Sequence, residues 1–431
     1  MQLLISYIKP VLLANYAQKL RCIVRLKGEA LPSVIKERPP LHLAIVLDKS
    51  GSMAGHPLRE ARKCAKFVVS HLKEKDKVSM IAYDQNVEIL VPLEHPTNKD
   101  AIYQKIDEIQ AGSTTNLYDG WNAGVGQLSS VTAADIVSRV LLLSDGLVNE
   151  GLTVDEYIQR ECQKSYEKGV STSTYGLGPQ FNENLMIGMA NVGGGNSYYG
   201  ETAQDLEDPF MTELELLDAL CAKNIRFRLK NIEGEVLNPH VIKDGEWYQA
   251  SNLVYDGEVW LAFEIPITKE IADQSGDINI GGFEVLYDDL QGIQHALSQD
   301  IILPALPSDP YSVIAKDPWV MERLSELEAS VIQFKAAQAA RRRDWQEVRN
   351  LLKKAKRIAG ANDWVAAIIV ELEKLAKQED AELFAKEAMY TSSSLSSRML
   401  AQDQDMSFDV EEWSEMPSYL KRKRRQGKGR I

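Results

Sequence analysis

Three short polar runs in this chain have residue types and spacings suited to chemistry. The apolar run Leu43-Ala-Ile-Val-Leu47 leads straight into Asp48-Lys-Ser50-Gly-Ser52-Met. Asp48, Ser50 and Ser52 fall at every second position, so one loop can aim three small oxygen ligands at a common point beyond a strand end. Gly51 removes side-chain bulk where the backbone must curl. A second apolar run, Val140-Leu-Leu-Leu143, ends in Ser144-Asp145-Gly146, and between the two lies Gly112-Ser-Thr-Thr115-Asn-Leu-Tyr-Asp-Gly120. Hydroxyls and carboxylates form a hard-oxygen set, which suits Mg²⁺, with Mn²⁺ or Ca²⁺ as alternatives, rather than zinc.

Other motifs are weaker. The six histidines (His42, His56, His71, His95, His240, His295) show no paired metal spacing, and no GxSxG elbow is present. Gly193-Gly194-Gly195-Asn196 lacks the Lys-Ser/Thr of a phosphate loop and precedes a predicted strand at Ser197-Tyr198-Tyr199, so it reads as a flexible helix-to-strand connection. Asp48 as a phosphoaspartyl nucleophile would need a second Asp two residues on, where Ser50 stands; a metal-dependent phosphatase is the least favoured reading. No catalytic constellation is found, and the chain is expected not to be an enzyme.

These segments need a scaffold, and 431 residues provide for about three domains at roughly 150 residues each. The composition, 44% hydrophobic and 26% charged, is that of a globular chain. A net charge of −13 argues against a body that binds nucleic acid or anionic lipid. The end is different: Lys421-Arg422-Lys423-Arg424-Arg425 follows an acidic stretch and offers contacts to nucleic acid or an acidic partner, or is a solvated tail. Four scattered cysteines (Cys22, Cys64, Cys162, Cys221) suit reduced thiols. With no signal-peptide pattern and no apolar run of about 18 residues, the expectation is a cytoplasmic protein with no membrane partner.

Periodicity divides the chain. Residues 1–36 read as strands, with Leu20, Cys22, Val24 and Leu26 alternating, that complete a later β domain. Residues 37–221 alternate strand and helix, the pattern of a doubly wound, mostly parallel α/β sheet. Residues 222–305 alternate as an antiparallel β-sandwich, with Asp244-Gly245 and Asp256-Gly257 as hairpin turns. Residues 315–390 form a helical bundle: Asp317-Pro318, Asp344-Trp345 and Asp363-Trp364 open helices, and Trp345 and Trp364 are expected in its core. Residues 391–431, beginning TSSSLSS, read as a disordered acidic-then-basic tail.

DKSGSM, GSTTNLYDGW and LLLSDGLVNEG, in that order, resemble the metal-ion-dependent adhesion site of von Willebrand factor type A (VWA) domains, which have a Rossmann-like α/β fold. The resemblance covers residues 41–220. It implies that Ser50 and Ser52 bind the metal directly, that Asp48 and Asp145 hold it through water, and that Thr115 is the loop threonine. Thr114 stands as its alternative, because Thr114 replaces the family's second glycine. Asn116, Asp119 and Asn149 lie on the same rim without being expected ligands. The resemblance further implies that an acidic residue of a partner protein fills the remaining metal position. The expected function is an intracellular metal-dependent protein-binding scaffold, with an AAA-type ATPase system among its possible partners. The rival reading is an RNA-binding ribonucleoprotein component.

Overall fold

The computed structural model describes residues 1–30, 38–133, 135–145, 148–177, 182–200, 203–239, 241–274, 276–360 and 362–397. The basic run Lys421–Arg425 therefore lies outside the described residues. Two compact units are present. One takes residues 32–220 with 290–292; the other takes the flanking 1–31, 221–289 and the described residues from 293.

The first unit is a six-stranded sheet in the order Val87–Glu94, Lys77–Tyr83, Leu41–Asp48, Val137–Ser144, Val170–Leu177, Gly194–Gly200. All neighbours run parallel except Val87–Glu94 against Lys77–Tyr83. Leu41–Asp48 is buried along its whole length, which explains its unbroken apolar run. Alternate residues serve opposite faces. Leu43, Ile45 and Leu47 pack on Ala61, Ala65 and Val68 of helix His56–His71. Ala44 and Val46 pack with Leu117, Trp121 and Val125 of helix Leu117–Ser129. Leu47 stands opposite Leu143 and Asp48 opposite Tyr83, so three strand ends leave the sheet side by side. The chain departs from Leu41–Asp48 toward one side of the sheet and later returns to the other, making a topological switch point where a ligand crevice belongs.

Sequence periodicity passes over helix Ala203–Asp218. Leu206, Phe210, Leu214 and Leu217 carry its stripe, but Pro209 inside it and the acidic residues around it mask the period. Phe210 stacks on Tyr175 with ring centroids 3.8 Å apart. One turn on, Glu213 enters a buried polar cluster. It pairs with Arg139 and accepts hydrogen bonds from Ser173 Oγ (2.6 Å), Asn196 Nδ2 (2.8 Å) and the Tyr198 hydroxyl (2.9 Å). The expected flexible connection at Gly193–Gly195 is corrected here. Gly194 and Gly195 belong to strand Gly194–Gly200, and a Cβ on them would overlap the Tyr166 ring and the Thr172 carbonyl. These glycines permit close packing and supply no slack.

Burial alone would raise the Glu213 carboxyl, but Arg139 and the donated hydrogen bonds hold it below its ordinary value of 4.5. Asp76 is likewise lowered: burial opposes, while Arg38 (2.6 and 2.7 Å) and the Leu41 and Lys73 amides outweigh it. A depressed folded-state pKa contributes stability that is present above the unfolded value and lost as pH falls through the folded one. Urea midpoints are therefore expected to fall as the pH drops below about 4.5, and Glu213→Gln should flatten that acid limb. A midpoint constant down to pH 3 would contradict this assignment.

The second unit packs two sheets around one core containing Cys22, Val24, Phe227, Phe263 and Phe283. The smaller has the order Gln2–Tyr7, Gln18–Lys27, Glu258–Ile267, Glu235–Val236, so N-terminal strands complete the sandwich. Gly245 makes the expected hairpin between Lys243–Asp244 and Trp247–Gln249. Asp256-Gly257 does not form a hairpin: Leu253–Val254 pairs with Leu220–Lys230 in the larger sheet, and Asp256, at φ 54°, turns the chain across to the smaller one. Ile23, placed by alternation among polar residues, is also buried. It joins Trp260, Ala262 and the Val320, Leu324 and Leu327 side chains of helix Pro318–Arg341 on the outer face of the smaller sheet.

After the short helix Ser308–Val313 come Pro318–Arg341, Trp345–Ala359, Asp363–Gln378 and Ala381–Ser397. Asp317 and Asp344 cap the first two, accepting from the Val320 and Glu347 amides. Asn362, not Asp363, caps the third, accepting from Val365 (3.0 Å). Trp345 is half-buried, edge-on to Phe384, whereas Trp364's side chain is outside what is described. The tail boundary also moves, because Thr391 to Ser397 are helical. Ser392 and Ser330 exchange hydrogen bonds between hydroxyl and carbonyl at 2.9 and 3.0 Å, and two small residues let their helices meet closely. Low apolarity conceals this last turn from composition.

Candidate metal centre

Three loops meet above the strand ends, and their backbones tie them together. The Lys49 amide donates to the Tyr83 carbonyl (2.8 Å), Gly112 N to Lys49 O (2.6 Å), and Gly51 N to Ser113 O (2.7 Å). Asn116 N donates to Asp84 O (2.9 Å), while the Asn149 and Glu150 amides both reach Thr115 O. The Asn149 side-chain oxygen in turn accepts from the Thr115 amide (2.7 Å). Asn182 N donates to Asp145 O (3.0 Å). A short 3₁₀ turn, Gly51–Met53, carries the serines from strand to helix.

Asp48 is fully buried at the centre. Its Oδ1 accepts from the Ser50 amide (2.8 Å), and its Oδ2 from Ser144 Oγ (2.6 Å) and the Tyr83 hydroxyl (3.3 Å). All three donors are neutral. Burial and the neighbouring Asp145 carboxylate push the Asp48 carboxyl up to about 6. Ser50 Oγ and Ser52 Oγ lie 3.1 Å apart, with Ser50 buried and Ser52 open to solvent. Thr115 is buried. Thr114 instead gives its hydroxyl to exposed Glu150. Asn116 caps helix Leu117–Ser129, accepting from the Asp119 amide and donating to its carboxylate (2.7 Å). Among the described residues no three His, Cys, Asp or Glu side chains gather at one point; this cluster is two carboxylates and several hydroxyls.

Sequence reasoning missed Ser144, Tyr83 and Asp84. Each sits at or next to the end of a central strand, and that position was the available signal. A Cβ at Gly112 would overlap the Asp84 carboxylate, whereas one at Gly126, in helix Leu117–Ser129, would meet nothing within 4 Å. Gly112→Ala is therefore expected to cost about 1–3 kcal/mol of overpacking. Gly126→Ala should gain up to about 1 kcal/mol from helix propensity. Chemical denaturation of the two variants checks this, and equal effects would refute it.

The family model for the von Willebrand factor type A domain matches residues 42–212. These residues form a VWA domain. Among solved structures, a von Willebrand factor type A protein from Catenulispora acidiphila superposes with a TM-score of 0.67 at 14% identity, over 86% of this chain and 89% of that one. The ArnB paralog VWA2 from Sulfolobus acidocaldarius gives 0.62 at 17%, over 92% and 98%. Those identities establish shared fold alone. The uncharacterized protein YfbK of Escherichia coli is 28% identical over 197 residues, which is 45% of this chain and 34% of that protein. The chain thus spans about a third of the length of that curated relative.

Asp48, Ser50, Ser52, Thr115 and Asp145 stand on the three loops joined above the sheet. Asn116, Asp119 and Asn149 brace or border those loops through the bonds given above. The four cysteines are buried and form no disulfide, and burial pushes the Cys162 and Cys221 thiols up to about 12, away from the thiolate. Among the described residues, no helix is long and apolar enough to cross a membrane.

Proposed function

We propose that this protein is a scaffold whose VWA domain captures a partner protein through a divalent cation, Mg²⁺ in the first instance. The observation that carries the reading is the Asp48 cluster. A buried carboxylate, raised by burial and by a second carboxylate, is bonded to neutral donors beside two hydroxyls 3.1 Å apart, of which Ser50's is buried and Ser52's opens to solvent. Such a set lacks positive charge and offers hard oxygen, which fits a small divalent ion. Ser50, Ser52 and Thr115 would hold the ion through their hydroxyls, and Asp48 and Asp145 through water. The ion supplies a Lewis-acidic position for a carboxylate from the partner. Thr115 is preferred to Thr114 because the Thr114 hydroxyl is engaged with Glu150 and Thr115 is fixed by Asn149.

This chain's own residues do the rest. Ser144 and Tyr83 orient Asp48, and the bonds from Gly51 and Gly112 hold the hydroxyl loops in place before any partner arrives. Four buried cysteines with no disulfide among them favour a reducing compartment and support a cytoplasmic location. A pull-down from native extract in Mg²⁺ and in EDTA, with wild type and Asp48→Ala/Ser50→Ala, tests the reading. Proteins captured only by wild type and only in Mg²⁺ are expected; the same captured set in all four samples would sink it.

A further inference from the structure

On the rim of the site stand two large apolar side chains that the fold leaves in water. Val154 is 56% exposed and Tyr157 is 45% exposed, and the Tyr157 amide donates to the Val154 carbonyl (3.0 Å). Lone exposed apolar residues are ordinary, but this pair follows closely in the chain on half-buried Val148 and Leu152, which pack onto the core beneath the site. Asn182 links the pair to the site: its amide N–H donates to the Asp145 carbonyl, and its side chain reaches Asp155 Oδ2 (3.5 Å) at the start of the Tyr157 helix. Tyr118, one turn from Thr115, lies within electrostatic reach of Tyr157 and Glu161.

The same rim is negative. Asp119 and Glu150 are exposed and bonded to the loop residues Asn116 and Thr114; Glu156 is exposed beside Tyr157. The cations of the Asp155–Glu167 helix are exposed Arg160 and Lys164, the latter paired with Glu161 at 2.7 Å, and its acids Asp155, Glu156, Glu161 and Glu167 outnumber them. An acid approaching the metal position must enter this field, and like charges within about 8 Å repel at physiological salt. A partner overcomes that repulsion by carrying its own cation next to the acid, and repulsion then rejects partners with plain acidic runs.

Resting on the metal-dependent reading above, we infer the partner's chemistry: a segment presenting one carboxylate to the metal, flanked by an apolar side chain that packs on Val154 and Tyr157 and a basic side chain that faces Asp119 and Glu150. The site thus selects a mixed acidic, basic and apolar motif, not acidity alone.

The test uses the full chain in Mg²⁺ and three fluorescent peptides followed by anisotropy. One has a lysine–glutamate–phenylalanine–lysine core, the second replaces phenylalanine by serine, and the third replaces both lysines by glutamate. The first should bind tighter than either other by about fivefold or more, the effect of one well-packed contact at an interface. Val154→Ser/Tyr157→Ser should erase the phenylalanine preference, and Glu150→Gln should shrink the lysine preference. Equal binding of the three peptides, or no peptide binding, overturns the inference. Mn²⁺ binding by electron paramagnetic resonance is measured alongside. If wild type binds Mn²⁺ and the preferences are absent, only this inference falls. If wild type binds no Mn²⁺, the metal-dependent reading falls and takes this one with it.

Discussion

Mg²⁺ at a hundredfold excess over its dissociation constant is expected to stabilise the chain by about 2.7 kcal/mol, which for a domain of this size raises the unfolding temperature by roughly 5–10 °C. Asp145→Ala and Ser50→Ala should lose that increment almost completely, so that their melting curves in Mg²⁺ and in EDTA coincide. The comparison is made within each variant, because the substitutions also alter the metal-free protein. Asp48→Ala in particular leaves the buried Ser50 amide without its Oδ1 acceptor. That loss costs about 1–3 kcal/mol before any ion is considered. Wild type melting at one temperature with and without Mg²⁺, at concentrations up to about 10 mM, above the range of even weak divalent-ion sites, would remove the ion from the account of this site.

Glu213→Leu should be the most damaging single substitution outside the site. It strands the Arg139 guanidinium, which is buried and also donates to Ser171 Oγ (2.9 Å) and the Gly194 carbonyl (3.1 Å). Breaking a buried pair from one side costs about 3–5 kcal/mol, because the remaining charge is uncompensated. Arg139→Met/Glu213→Leu should recover most of the loss, since replacing both charges removes the desolvation cost as well. Urea denaturation decides the matter. A double variant no more stable than Glu213→Leu would mean that the hydrogen bonds to Asn196 and Tyr198, not the charge balance, dominate the cluster.

The VWA sheet was legible because its central strands are buried on both faces, and a strand with no solvent-facing side requires an unbroken apolar run such as Leu41–Leu47. The places of Asp48 and Asp145 were legible for a related reason: polar residues that close or directly follow such runs stand at the strand ends. What stayed hidden depends on contacts distant in sequence. Ser144 is an ordinary serine until Asp48 is placed beside it, and Ser392 looks like part of a polar tail until Ser330 meets it. The Ala203–Asp218 helix was obscured by Pro209, and its burial against Tyr175 outweighs that local cost. Gly194 and Gly195 suggested looseness, yet they are required by the ring and carbonyl that approach them. Asp256-Gly257 has hairpin composition, but which strand accepts Leu253–Val254 is decided by the larger sheet.

Strand Gln18–Lys27 has Glu258–Ile267 as its neighbour, with Val24 facing Leu261, and the entire VWA domain lies between them in the chain. On the ribosome, the early strand must therefore wait while some two hundred residues emerge, whereas every strand of the VWA sheet is already available by Gly200. Synthesis thus imposes an order: the α/β module matures first, and the sandwich closes around its own two ends only afterwards.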